Sequence, residues 1–194
     1  MEPKKILVIA GPTGSGESAV TAEIIKRYPI FKRLVTATTR PPRLREQTGV
    51  DYYFFSTEEF QREISNGNIL ECQNNRNGVY YGSYRPDLEK KLAQGFNVIV
   101  NPDLVGARYY QKHYQATTVF IMPDSIANLK KRLLKRDPSI SPLELQTRLE
   151  YAQREISQEA PFYDYRVLNR QNQLGNAVAE IIAILKKEGY RLTF

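Results

Sequence analysis

With 194 residues the chain is sized for one domain with a substantial core, and its 41% hydrophobic and 25% charged content is ordinary for a soluble globular protein. A single cysteine, Cys72, excludes an internal disulfide and leaves no thiolate metal cluster to build. The net charge of +7, from 28 basic and 21 acidic residues, suits an anionic partner; with no basic block or base-stacking motif it reads as phosphate handling and not as nucleic-acid binding.

No apolar run approaches the roughly 20 residues that span a bilayer, and the first five residues enter a strand without a signal-peptide layout. A cytoplasmic protein with no membrane contact is the expectation. Residues 6–10 are an unbroken apolar run of the kind found in buried parallel strands. The turn that follows, Gly11-Pro12-Thr13-Gly14-Ser15-Gly16-Glu17-Ser18, leads into a helix with Val20, Ile24 and Ile25 on one face. Strand, glycine-rich turn, helix is the context in which backbone N–H groups and a helix N-terminus cradle phosphate. The alternative is a tight turn with no ligand. Such a loop normally carries lysine before its final hydroxyl, to neutralise β- and γ-phosphates; Glu17 stands there instead.

Residues 34–36 read as a short strand, after which Pro41 and Pro42 exclude regular structure. Residues 51–55 are a β-prone aromatic run. Ser56 and Glu59 have capping-box spacing for a helix over Phe60 and Ile64 that Gly67 ends. Strands at 69–72 and 80–83 enclose a small β unit, and Pro86 opens a helix through Leu88 and Leu92. Residues 96–100 and 117–122 are core strands, and Ser125 caps a helix carrying Leu129, Leu133 and Leu134. Ser141, Pro142 and Glu144 open another, with Leu145, Leu149, Ala152 and Ile156 at helical spacing. A strand at 165–169 and an amphipathic helix from Leu174 to Leu185 complete the alternation.

Alternating strands and helices imply an α/β fold with a mostly parallel sheet flanked by helices. Ligands then sit at the carboxyl ends of the strands, which gathers the loop, residues 101–103 and Asn169 on one rim. His113 reads as a solvated loop residue, Cys72 as a small core residue, and residues 162–165 as packing under the last strand.

Five further stretches, met in order, resemble the guanylate kinase family over residues 4–187: Thr38-Thr39-Arg40-Pro41-Pro42-Arg43, Gly49-Val50-Asp51-Tyr52-Tyr53-Phe54, Tyr80-Tyr81-Gly82-Ser83, Asp103-Leu104-Val105-Gly106-Ala107-Arg108, and Arg148-Leu149 with Ala152 and Glu155. The resemblance implies a P-loop kinase fold with a core at 4–33, 86–124 and 158–190. It also implies a β-rich GMP-binding subdomain at about 34–85 and a helical lid at about 125–157. The implied reaction is transfer of the ATP γ-phosphoryl group to GMP, with Mg2+ as cofactor and the two nucleotides as partners.

By the same resemblance, Arg40 and Arg43 grip the GMP phosphate with Tyr52 and Tyr81, Glu71, Ser83 and Asp103 read guanine, and Thr36 stands in the GMP site where the family has a serine. Guanidinium forks match phosphate oxygens, and a carboxylate accepts from the base N1–H and exocyclic NH₂. Gly11, Thr13, Gly14, Ser15, Gly16, Ser18 and Arg132 hold the ATP phosphates, with Ser18 also a magnesium ligand through the nucleotide, and Asn169 lies at the ATP base. Arg132, Arg136 and Arg148 belong to the lid, with Arg40, Arg136, Arg148 and Glu17 in the catalytic set. Read singly, Tyr52 and Tyr81 serve equally as packing aromatics, Arg40 and Arg43 as a solvated loop, Glu71 as a surface ion-pair partner, Asp103 as a helix cap and Arg132 as a solvated helix face.

Three positions depart from the family pattern: Glu17, Asn101 where an acidic residue is usual, and Arg170-Gln171 where an acidic pair is usual. At an effective dielectric near 20, each close charge contact is worth roughly 4 kcal/mol before screening. Exchanging attraction for repulsion at Glu17 is therefore expected to slow transfer, unless magnesium bridges the carboxylate or it turns outward and a lid arginine takes over. Asn101 and Glu17 are expected to be coupled, the missing cation having removed the need for its anion. Two other readings stay open: a module that binds GMP or a phosphorylated partner without transfer, and transfer to another small acceptor. Oligomeric state is not legible.

Overall fold

A computed structural model of the chain describes residues 4–74 and 78–194. Its centre is a parallel sheet in the order β2-β7-β1-β8-β9, made of β1 (Ile6–Ala10), β2 (Phe31–Arg33), β7 (Asn97–Val100), β8 (Thr117–Pro123) and β9 (Tyr165–Asn169). These strands are almost continuously apolar because both faces are covered. Leu7, Ile9, Ile99, Val119, Ile121 and Val167 point to one side, under α1 (Glu17–Arg27) and α7 (Leu174–Lys187). Ile6, Val8, Ala10, Val98, Val100 and Phe120 point to the other, under α3 (Arg85–Ala93) and α4 (Leu104–Tyr114).

A second sheet, in the order β4-β3-β6-β5, joins β3 (Ala37–Thr38), β4 (Tyr53–Phe54), β5 (Ile69–Asn74) and β6 (Tyr80–Tyr84). α2 (Thr57–Ser65) packs Phe60 against Ala37 and Ile69, and its Ser56–Glu59 capping box is complete. The third unit is a helix pair, α5 (Ile126–Arg136) and α6 (Pro142–Arg154), closed on its own cluster of Leu129, Leu133, Ile140, Leu145 and Ala152.

Several boundaries differ from the sequence reading. Residues 34–36 are not a strand: Leu34 N still donates to Ile99 O, but Val35 N donates to Asp87 Oδ2, so the chain leaves the sheet there. Regular pairing resumes at Ala37–Thr38, just ahead of the prolines. Helical spacing carried α6 through Ile156, whereas α6 ends at Arg154 and passes into a π-helical turn, Glu155–Glu159, and a 3₁₀ turn, Ala160–Phe162. Ser141 caps α6, but the Glu144 carboxylate pairs with Arg148 and not with the cap. Cys72 is exposed, because β5 is an edge strand that runs out of the core after Ile69. His113 lies on α4 and not in a loop, though exposed as expected. Phe162 is 54% exposed and carries Arg108 across its ring at 4.3 Å, leaving Tyr163 to pack on Phe120. Among the described residues no helix is long and apolar enough to cross a membrane.

Candidate active site

The glycine-rich loop wraps the carboxyl end of β1 with Gly11, Gly14 and Gly16 all at positive φ. Gly16 caps α1 with no side-chain acceptor, so the first-turn N–H groups stay free for an anion. A Cβ at Gly16 would lie 2.3 Å from Asn169 Nδ2, so only glycine fits there. Ser18 is exposed in the first turn of α1. Ser15 is fully buried, and its hydroxyl finds no partner among the described residues.

Arg132 locks this loop from behind. Its guanidinium donates to Ser15 O at 3.0 Å, Gly14 O at 3.4 Å and Asn169 O at 2.8 Å, and its Nε donates to Gln171 Oε1 at 3.1 Å. Asn169, expected at the donor base, turns its amide nitrogen onto Ser15 O at 2.7 Å and is buried. Both side chains therefore brace the loop. A groove of about 490 Å³ opens beside them, lined by Gly14, Gly16, Arg136, Arg170, Gln171 and Asn172 among others. Thr13 is exposed on the loop outside that lining.

Glu17 is half-buried at the start of α1 and is not turned out to solvent. Burial, and then the Glu155 carboxylate, push it up to about 8, against the pull of a helix N-terminus that favours an anion. Glu155 is itself pushed up to about 7 by burial and by Glu159. A carboxyl raised to about 8 carries less negative charge near neutral pH than an ordinary one, which lessens the expected repulsion. Asn101 donates to Ile9 O at 2.8 Å and to Thr21 Oγ1 at 3.3 Å. The charged neighbour of Glu17 is thus Glu155, on the π turn after α6, a partner that sequence spacing did not reveal.

A second cavity, about 230 Å³, lies between the two sheets. It is lined by Thr36, Tyr52, Glu71, Tyr81, Ser83 and Asp103, six residues that the sequence reading had grouped, together with Asn101 and Pro102. β5 and β6 present Glu71 and Ser83 side by side, and Ser83 Oγ donates to Glu71 Oε1 at 2.5 Å. Burial raises the Glu71 carboxyl, an effect opposed by the Ser83 hydrogen bond and reinforced by Asp103. Asp103 does cap a helix, accepting from Gly106 N at 2.9 Å, while also facing the cavity.

Arg40 joins this cavity through its neighbours. Its guanidinium lies 5.4 Å from the centre of the Tyr52 ring and 5.7 Å from that of Phe54, with Tyr81 alongside. Glu46 holds both of its terminal nitrogens, at 2.9 Å each, and also accepts from Arg43 N at 2.7 Å. Glu46 was missed in the sequence; its spacing of three from Arg43 in a proline-bounded turn was the available signal. Arg43 itself is exposed and lines neither cavity. Arg148 pairs with Glu144 at 2.6 Å on α6, likewise away from both.

Comparison with known proteins gives one consistent family. The guanylate kinase family model matches residues 3–188. The chain is 41% identical over 169 residues to a guanylate kinase of Thermosynechococcus vestitus, covering 87% of each chain. To one of Symbiobacterium thermophilum it is 38% identical over 192 residues, covering 98% of this chain and 89% of that one. A crystal structure of guanylate kinase from Anaplasma phagocytophilum superposes with a TM-score of 0.73 at 30% identity, over 98% of this chain and 89% of that one.

Proposed function

This chain belongs to the guanylate kinase family, and on that premise we propose how its own residues carry the transfer from ATP to GMP. As a nucleoside monophosphate kinase it joins a GMP phosphate oxygen to the γ-phosphorus of ATP while the bond to the ADP oxygen breaks, giving GDP and ADP. Such transfer depends on positioning and charge more than on covalent chemistry.

The observation that carries the acceptor side is the cavity between the sheets. Glu71 accepts from the base N1–H and 2-amino group, Ser83 and Thr36 supply hydroxyls, and Asp103 closes the rim. Tyr52, Tyr81 and Arg40 seat the phosphate, with Arg43 reaching it from the exposed turn. On the donor side, Gly11 through Gly16 wrap the phosphates, Arg132 and Asn169 hold the loop rigid, and Arg136 lines the donor groove. Arg148 is brought in by movement of the α5–α6 pair.

The donor set fits magnesium that arrives with the nucleotide. Among the described residues no group of three or more His, Cys, Asp or Glu is arranged to hold a metal. Mg2+ ordinarily keeps several waters and takes one or two protein oxygens beside substrate phosphates, a role Ser18 can fill. When bound, it neutralises charge on the β- and γ-oxygens.

A module that binds without transfer gains no support from the relatives above, each described as a guanylate kinase. Phosphorus-31 NMR of the protein with ATP, Mg2+ and GMP tests the reading directly. Appearance of ADP and GDP resonances in equal amounts supports it; ATP loss to ADP and inorganic phosphate alone refutes it.

A further inference from the structure

The pair Glu71 and Ser83 rests on one face of α4. Gly106 and Tyr110 lie one turn apart on that helix, and a Cβ at Gly106 would stand 2.9 Å from Glu71 Oε2. Tyr110 is fully buried among Val8, Leu34, Leu88 and Val100, with Ser83 and Glu71 as its polar neighbours. Its hydroxyl nevertheless has no partner at hydrogen-bond geometry among the described residues. Phenylalanine would fill the same space without burying an unsatisfied polar atom.

We propose that Tyr110 is a positioning residue for purine selection: when a base enters the cavity its hydroxyl donates to Ser83 Oγ and fixes Ser83 as a donor to a 6-oxo group. This rests on the assignment of Glu71 and Ser83 as base readers.

A serine hydroxyl carries one hydrogen and two lone pairs and rotates to suit. Left free, it accepts from a 6-amino group as readily as it donates to a 6-oxo group. In the unliganded protein its hydrogen is directed to Glu71 Oε1. A base presenting N1–H and 2-amino hydrogens occupies the Glu71 lone pairs and releases that hydrogen to turn toward the 6-oxo oxygen. Donation from Tyr110, on the core side of Ser83, then fills an acceptor position on Oγ and disfavours the 6-amino alternative. The same contact gives the buried phenol the partner it lacks. Burial pushes that phenol up, the nearby Ser83 side chain opposes the shift and the Glu71 charge reinforces it, so the hydroxyl stays protonated beside Ser83 with its hydrogen available to donate.

Tyr110→Phe preserves the ring and removes only the hydroxyl. Steady-state kinetics at saturating MgATP with GMP, inosine monophosphate and 2,6-diaminopurine ribonucleoside monophosphate read the effect. KM for the two 6-oxo nucleotides should each rise roughly threefold to tenfold, the size of one net hydrogen bond. kcat and KM for ATP should not change, and KM for the 6-amino nucleotide should fall or hold. An unchanged KM for GMP, or an equal rise for all three purines, overturns the proposal. In the unsubstituted protein labelled with tyrosine carbon-13 at Cζ, the Tyr110 resonance should shift on adding GMP and stay put on adding the diaminopurine nucleotide; no shift with GMP overturns it as well. Glu71→Gln separates this proposal from its premise. If it leaves the preference for GMP over AMP intact, the base-reading assignment itself fails; if it abolishes the preference while Tyr110→Phe does nothing, only the role of Tyr110 falls.

Discussion

The Glu46 carboxylate meets the Arg40 guanidinium as a parallel fork, Nη1 to Oε2 and Nη2 to Oε1, both at 2.9 Å. Arg40 is thereby fixed between Glu46 and the Tyr52 and Tyr81 rings, with donors left over because a guanidinium carries five. Replacing Glu46 by Ala frees the side chain to wander from the cavity. KM for GMP should rise about tenfold, with KM for ATP unchanged. A lower KM for GMP would mean instead that Glu46 competes with the phosphate.

Glu17→Lys restores a cation to the loop, opposite Glu155. Because Glu17 is largely protonated near neutral pH, the gain comes from the positive charge added and not from negative charge removed. We expect kcat/KM for ATP to rise roughly tenfold to a hundredfold, or about 1.4–2.8 kcal/mol. Steady-state assays at pH 7 check this, and an unchanged or lower rate counts against a charge deficit in the donor site.

Burial raises the Glu71 carboxyl above its ordinary range near 4.3. The base donors need its ionised form, so KM for GMP should be flat above that raised value and climb as pH falls through it. KM for ATP should not follow. Stability runs the opposite way for this group: the folded state holds the proton more tightly than the unfolded chain, so its contribution is present at low pH and is lost as pH rises through the raised value. GMP titrations between pH 4.5 and 8 in a three-buffer series read the binding effect; a pH-independent KM excludes Glu71 as the base acceptor.

Arg132→Lys keeps the charge but loses the planar fork that spans Gly14 O, Ser15 O and Asn169 O. KM for ATP should rise about tenfold while KM for GMP holds, since the clamp ties the donor loop to the end of β9 and lines no part of the acceptor cavity. Equal effects on both nucleotides would show that Arg132 supports the whole fold and not the loop.

Gly106→Ala places a methyl group 2.6 Å from Pro102 Cβ and 2.9 Å from Glu71 Oε2. Overpacking there should cost about 1–3 kcal/mol of stability and displace Glu71 from the cavity. Thermal melts should drop by several degrees and KM for GMP should increase; an unshifted melt would mean that the helix yields freely.

Much of this was written locally in the chain. β1, its glycine turn and α1 follow from apolar run, turn residues and helical spacing, and β9 matched at both ends because Tyr165–Asn169 is bounded by turn residues. Of the six cavity residues grouped beforehand, Tyr52, Tyr81, Ser83 and Asp103 sit inside the ordered motifs, and Thr36 and Glu71 followed from the resemblance those motifs carried. What escaped was long-range. No local rule brings Glu155 to Glu17, or turns the Asn169 amide onto Ser15 O. The π turn after Arg154 hides inside an ordinary helical period, and α4, which carries Tyr110, was not read as a helix from the sequence. Cys72 was misplaced because an edge strand and a central one share the same composition over four residues.

The role proposed for the cavity walled by Glu71, Ser83, Thr36 and Asp103 is to select guanine for phosphorylation. Coupled measurement of ADP release with GMP, AMP, CMP and UMP at fixed MgATP tests it most directly. Turnover with GMP is expected, with a kcat/KM for AMP lower by at least roughly a hundredfold, since a base site built on hydrogen bonds rejects the mismatched base strongly. Comparable turnover with AMP, or none above background with GMP, would contradict it.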